Sequence, residues 1–258
     1  MKRVVISIDD GRLDTYEKAL RHLKNYGLTA TVNITTDFVE HPECQTKFPS
    51  ALNKAMTIEM VQDAARSGIE IAGHGNHHMN NREDIVEGIR KLQSWGVSDG
   101  PFGFASPFSE LTEENNPEIM DLLHTGFLRY IRSGIQVRRE SFFYKVMYLI
   151  MEKTQSCFLF FLLNRKNCKW NKSEPRFLKG VSVTNRTTVQ QIKYMIKKLP
   201  DQAHLILIFH SILPQSHPGY GKDKWYMDEE LFLELCENLK NDTTIQVLTT
   251  RDLVEEIL

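Results

Sequence analysis

Two adjacent carboxylates, Asp9 and Asp10, follow the apolar run at residues 4–8 and stand directly before Gly11. Adjacent acids are common on protein surfaces, and Glu113-Glu114, Glu229-Glu230 and Glu255-Glu256 lie in helical or loop patterns where solvation explains them. Asp9-Asp10 differ because they close a core strand, and α/β folds build their sites at the C-terminal ends of strands. Successive residues at such an end point in different directions. One carboxylate can therefore bind a metal while its neighbour faces a reacting water.

His74 and His78 are four residues apart, a spacing that puts two imidazoles on one side of a helical turn, and they follow a second short strand within Gly-His-Gly-Asn-His-His. His77 lies between them and competes for the same role; the spacing of four favours His78. Two imidazoles and one carboxylate make a three-ligand set with an open position, which suits catalytic Zn2+. Such an ion acidifies a bound water and polarises an acyl oxygen, and Co2+, Ni2+, Mn2+ or Fe2+ accept the same donors. His210 ends the apolar run at residues 205–209. A lone histidine there is more often structural than catalytic. If the fold brings it near Asp10 and His74, its ordinary pKa of about 6.5 suits it to protonate a leaving amine.

The elements that must position these groups alternate from the first residue. Strands are expected at residues 4–8, 29–34, 70–72, 102–105, 127–131, 204–209 and 244–248, and helices at 15–26, 57–67, 81–95, 117–124, 189–199, 228–239 and 252–258. Gly27, Gly68 and Gly96 sit where C-cap glycines belong. The alternation predicts a parallel sheet covered by helices, open or closed into a barrel, and 258 residues suffice for one such domain spanning residues 1–258.

The composition, 41% hydrophobic and 25% charged, is that of a globular protein, and a net charge of −1 gives no overall attraction to nucleic acid. Cys44, Cys157, Cys168 and Cys236 show no C-x-x-C spacing and are expected to be reduced thiols. The opening MKRVVISIDDG lacks the apolar length of a signal peptide, so a cytoplasmic location is expected. Charge is unevenly spread: residues 129–179 hold twelve Lys or Arg against Glu140, Glu152 and Glu174, about +9, which leaves about −10 elsewhere. This segment, rich in irregularly placed aromatics, reads as an insertion in the α/β framework. Its apolar stretch at 142–163 is interrupted by Lys145, Glu152 and Lys153, and it is expected to form a buried or interfacial helix with at most peripheral membrane contact.

Together these motifs resemble the polysaccharide deacetylases (the NodB-homology domain, carbohydrate esterase family 4). Ser7-Ile8-Asp9-Asp10-Gly11 stands where that family has Thr-Phe-Asp-Asp-Gly, and His74-Gly75-Asn76-His77-His78 matches His-Ser/Thr-x-x-His apart from its glycine. Phe104-Ala105-Ser106-Pro107-Phe108 is similar to the family's proline-aromatic motif, and Ile208-Phe209-His210-Ser211 to its last strand. The resemblance covers residues 1–128 and 180–258. It implies a distorted (β/α) barrel in which Asp9 is the general base and Asp10, His74 and His78 bind the metal. It further implies His210 as general acid, the Phe108 N–H as an oxyanion donor, and Pro107 and Phe108 as substrate-binding residues. Many members pair the base with an arginine at the position held here by Ala105 or its neighbour Phe104. Without one, Asp9 would have a raised pKa, and Arg12, Arg132 and Arg186 are the candidate replacements. The family's acid supporting the catalytic histidine has no counterpart in the sequence.

The expected function is removal of an N-acetyl group from a sugar or glycan precursor in surface-polysaccharide biosynthesis. The basic, aromatic insertion suits a phosphate-bearing precursor, nucleotide- or lipid-linked. The alternatives are a deformylase or amidase acting on another amide, and a carbohydrate-binding relative without catalysis.

Overall fold

The computed structural model describes residues 1–41, 54–98 and 100–257. Eleven strands are found there: β1 (Lys2–Ile8), β2 (Thr31–Ile34), β3 (Glu70–Gly73), β4 (Phe102–Ala105), β5 (Leu128–Ser133), β6 (Phe177–Lys179), β7 (Val181–Ser182), β8 (His204–Phe209), β9 (Ser211–Leu213), β10 (Tyr226–Asp228) and β11 (Ile245–Leu248). The main sheet is parallel throughout, in the order β6-β5-β4-β3-β2-β1-β8-β7. Because β6 runs through Gly180 directly into β7, the two ends of this path meet and the sheet is nearly closed into a barrel. A Cβ at Gly180 would lie 2.7 Å from Ile208 Cδ1, so the closing strand needs a residue without a side chain there. The barrel is distorted at β1, whose edge is shared: β11 pairs with residues 2–5 and β2 with residues 7–8.

Helices follow the strands as the alternation predicts. A π-helical turn (Thr15–Leu20) runs into α1 (Arg21–Tyr26), which ends at Gly27 with φ 64°. Then come α2 (Thr36–Glu40), α3 (Ile58–Arg66), α4 (Arg82–Ser94), α5 (Pro117–His124), α6 (Phe142–Thr154), α7 (Cys157–Asn164), α8 (Val189–Lys198), α9 (Glu229–Asn241) and α10 (Thr250–Glu255). Side chains of Thr57 and Asn81 cap α3 and α4, and Thr188 with Gln191 forms a full capping box on α8. The apolar stretch expected as one helix at 142–163 is two, broken at Gln155 in the left-handed region. The basic segment, bounded on charge at 129–179, overshoots at both ends. Arg129 and Arg132 belong to β5 and Lys179 to β6; charge alone does not reveal that Arg132 is buried beside a carboxylate. Cys157, Cys168 and Cys236 are free thiols; Cys44 and Leu258 lie outside the described residues.

Side chains alternate along each strand, so one parity faces the helices and the other faces the lumen. Val4, Ile6 and Ile8 join the large cluster under the helices, while Val5 packs inside with Ala72, Tyr130, Leu178 and Ile206. The lumen's lower end is polar and satisfied: Glu70 accepts from Thr31 Oγ1 (2.7 Å), Tyr130 Oη (3.0 Å) and Arg251 N (2.9 Å). Continuing the lumen parity upward from Val5, Ala72, Tyr130 and Ile206 reaches Asp9, His74, Arg132 and His210. The parity that fills the barrel is therefore the one that builds its upper mouth.

Tyr130 fits only because β4 offers Gly103 opposite it; a Cβ there would fall 1.9 Å from Tyr130 Cζ. Gly103→Ala is expected to lower unfolding free energy by about 1–3 kcal/mol or more through overpacking, measured by urea titration.

Candidate active site

Asp10 takes a left-handed backbone conformation (φ 84°) and Gly11 continues it (φ 78°). The turn swings the chain off β1 and leaves both carboxyls buried at the barrel mouth, Asp9 3% and Asp10 1% exposed. Two adjacent buried carboxylates need cations, and each has its own. Arg132, fully buried near the end of β5, donates through Nη2 to Asp9 Oδ1, which also accepts from Asn33 Nδ2 at 2.8 Å. Arg12 lies against Asp10 Oδ2, with Nε at 2.8 Å and Nη2 at 2.7 Å. Burial pushes the Asp9 carboxyl up, but Arg132 and the neighbouring imidazoles outweigh it and hold Asp9 below the ordinary carboxylate range. Asp10 is held well below that range, burial again being overcome by Arg12 and the histidines.

The raised pKa expected for an unpaired Asp9 is thus corrected: the aspartate is paired, and of the three candidate arginines Arg132 is the partner. Its Cα stands in register opposite Ala105. The guanidinium comes from the strand next to the one that carries it in many family members. Arg12 serves Asp10 instead, and Arg186 pairs with Glu152 at 3.2 Å on the cleft wall.

His74 follows β3 and is buried, with Nδ1 2.8 Å from the Ala105 carbonyl. A carbonyl only accepts, so Nδ1 carries the proton and Nε2 presents its lone pair. His78 Nε2 lies 3.1 Å from His74 Nε2, and the two nitrogens lie 3.6 and 3.5 Å from Asp10 Oδ1. Burial, and then His74, bring the His78 pKa down to about 4, so its imidazole is neutral near pH 7. The two imidazoles do not meet on a helical turn, as their spacing suggested. Residues 74–80 form an irregular loop with left-handed conformations at Gly75 (φ 82°) and His78 (φ 62°). Asp84 of α4 ties the loop down, accepting from His77 N at 2.8 Å and Met79 N at 3.0 Å. A Cβ at Gly75 would fall 2.5 Å from Asp84 Oδ2, which accounts for glycine where the family has Ser or Thr. His77 turns to Asp84, its Nδ1 3.0 Å from Oδ1.

Asp10, His74 and His78 form the group among the described residues that could hold a metal ion. The fit is good: Asp10 Oδ1 is buried with no hydrogen-bond partner, although Oδ2 is fully engaged. The three donor atoms also stand at the separations a tetrahedral set requires, about 3.3 Å for bonds of about 2.0–2.1 Å.

His210 follows β8 and lines the same cleft, half-buried against Trp225 with ring centroids 4.9 Å apart. Burial lowers its pKa. Its Nδ1 is buried with no partner among the described residues, so the supporting acid missing from the sequence is missing from this position too. Phe108 adopts φ 54° after the buried Pro107, and its ring meets His78 edge-on at 4.6 Å. These groups open into a cleft of about 350 Å³. Its far wall is the insertion: Tyr144, Tyr148, Met151 and Glu152 of α6, and Phe160 of α7. The sequence reading also missed Asn33, whose signal was a polar residue inside the apolar strand β2. It missed as well the relay from Asp10 through Arg12 to Ser211 Oγ (2.9 Å) and on to Asp14 (3.3 Å).

Because Asp9 titrates below its ordinary range, the stabilisation it carries is present above its unfolded pKa of about 3.9 and is lost as pH falls through the lower folded value. Arg132→Gln is expected to cost about 3–5 kcal/mol near neutral pH, by leaving a buried charge unpaired. It should also move acid unfolding to higher pH. Urea titrations across the acid range check both.

The polysaccharide deacetylase family model matches residues 1–122. No curated protein sequence matches the chain. Among solved structures it is similar to a family 4 acetyl xylan esterase from Clostridium thermocellum in complex with a cobalt ion. The TM-score is 0.53 at 16% identity, covering 98% of this chain and 91% of that one. It is also similar to a peptidoglycan N-acetylglucosamine deacetylase, with TM-score 0.52 at 14% identity, covering 97% and 87%. A 4-alpha-glucanotransferase from Thermococcus litoralis gives TM-score 0.58 at 11% identity, covering 98% of this chain but 40% of that one. At these identities likeness speaks to the fold alone, a deformed (β/α) barrel. Over the residues that the family model matches, and with the motifs placed as described, the chain resembles the NodB-homology polysaccharide deacetylases.

Proposed function

We propose that this protein is a metal-dependent hydrolase that removes an N-acetyl group from a sugar or glycan precursor in surface-polysaccharide biosynthesis. The observation that carries the reading is the unpartnered buried Oδ1 of Asp10, with Nε2 of His74 and of His78 3.5 and 3.6 Å away, beside an ionised Asp9. Asp10, His74 and His78 would hold one divalent ion, Zn2+ first, with Co2+, Ni2+, Mn2+ or Fe2+ as alternatives. Once bound, it would acidify water and polarise the acyl oxygen.

The remaining chemistry falls to the chain's own residues. Asp9 has Oδ1 committed to Arg132 and Asn33; Oδ2 lies 3.9 Å from His74 Nε2 and so faces the ligand cluster. Asp9 stays ionised near neutral pH and takes the proton as a water oxygen adds to the acyl carbon. The Phe108 N–H would donate to the developing oxyanion. As the C–N bond breaks, His210 gives its proton to the leaving nitrogen, releasing an amine and acetate; burial makes its imidazolium a readier acid. Pro107 and Phe108 would border the acyl group. The cleft mixes aromatic faces (Tyr144, Tyr148, Trp225) with hydrogen-bonding groups (Ser182, Thr187, Gln191), a lining that suits the apolar faces and hydroxyls of a sugar. Lys224 on the same wall could hold a phosphate of a nucleotide- or lipid-linked precursor.

In purified protein, close to one equivalent of metal per chain is expected, and His78→Ala should lose it, as read by elemental analysis. Asp9→Asn should keep the metal and lose about 10²–10⁴-fold in acetate release from N-acetylated phosphosugars. Full turnover in Asp9→Asn would refute the base assignment. Formate from a formylated analogue, without acetate from the acetylated one, would change the bond cleaved. Metal binding with no release from any acylated sugar would favour the non-catalytic relative.

A further inference from the structure

Helix α6 has two faces of different chemistry. Tyr144, Met147, Tyr148 and Met151 turn inward, and three of these line the cleft. At 100° per residue the opposite face carries Phe142, Phe143, Val146, Leu149, Ile150 and Lys153. Phe142 and Phe143 are 83% and 72% exposed. Of the eight exposed large apolar side chains among the described residues, five lie in the α6–α7 hairpin: Phe142, Phe143, Leu149, Ile150 and Phe158. A cluster of that kind on one helix face marks an interaction surface. The charge on the helix is mainly basic. Lys145 and Lys153 have no acidic partner among the described residues, Glu152 is engaged by Arg186, and Glu140 stands just before the helix.

We propose that the outer face of α6, with Phe158 of α7, docks on an anionic lipid bilayer and lies in the plane of its headgroups. Phenylalanines and aliphatic residues on one face, with Lys145 at its edge and Lys153 in its last turn, are what such an interface selects. A second copy of this chain fits less well, because symmetric packing would bring Lys145 and Lys153 against their own equivalents. The helix lies on the bilayer and does not cross it. Thirteen residues reach about 20 Å, and no helix among the described residues is long and apolar enough to span. Since the inner face of the same helix lines the cleft, docking would hold the cleft mouth near the headgroups. Resting on the function proposed above, this narrows the substrate to an acylated sugar carried on a lipid phosphate.

The test is flotation of the full chain with vesicles of phosphatidylcholine alone or mixed equally with phosphatidylglycerol. The wild type should float with the anionic vesicles only, and less so as salt is raised. Phe142→Ser/Phe143→Ser/Leu149→Ser should lower the partition coefficient by about ten-fold or more, and Lys145→Glu/Lys153→Glu by about ten-fold. Both variants change solvent-facing positions, so circular dichroism and thermal melting should match the wild type. Flotation of the triple variant equal to wild type, or none by the wild type, overturns the proposal. So does a concentration-dependent dimer that the triple variant abolishes, which would assign the face to a second copy. Docking without acetate release would refute the function proposed above and leave this inference standing; release without docking would do the reverse.

Discussion

The site depends on the requirement that two neighbouring carboxylates, both almost sealed from water, each find a cation. Taking such a charge out of water costs several kcal/mol even after relaxation, and two side by side repel in a medium that screens poorly. Arg132 and Arg12 meet that cost from opposite directions, one across the lumen from β5 and one from the turn that follows β1. Much of the local structure can be read as serving those two contacts. The left-handed Asp10-Gly11 turn separates the carboxyls, and Asn33 takes a further lone pair of Asp9. With Oδ2 of Asp10 occupied, Oδ1 alone is left facing the histidines.

The residue types at strand ends were legible in the sequence because the fold's own logic exposes them. Asp9, Asp10, His74 and His210 each follow an apolar run, and the parity that fills the lumen carries Asp9, His74 and His210 to the mouth. The Asp84-anchored loop was not legible, because its geometry comes from one carboxylate on α4 reaching backbone amides five and seven residues earlier. A spacing of four suggested a helix, whereas left-handed residues at Gly75 and His78 produced the same convergence. Arg132 was hidden for a different reason. Among twelve basic residues it looked like one more solvated cation, and only the β4–β5 register turns it into the partner of Asp9.

The insertion shows the same limit. Its composition marked it as foreign to the framework, but composition cannot say which aromatics point where. In the fold, Tyr144 and Tyr148 wall the cleft while Phe142 and Phe143 face away from it. On α6, what reads as irregular aromatic content is two half-faces of one short helix. Strands β5 and β6 bracket the segment, which also meets the barrel where it closes, Asn167 Nδ2 donating to the Gly180 carbonyl at 2.9 Å.

The opposition of Ala105 and Arg132 also bears on how such a site can change over evolutionary time. A guanidinium can reach the same carboxylate from either of two adjacent strands, so the charge could pass between them through an ancestor holding an arginine at both positions, or weakly through one holding neither. Sequence patterns written along a single strand would score both the origin and the destination of that step as loss. A chain without the motif arginine is better judged by the residue that faces the gap, as Arg132 faces Ala105 here.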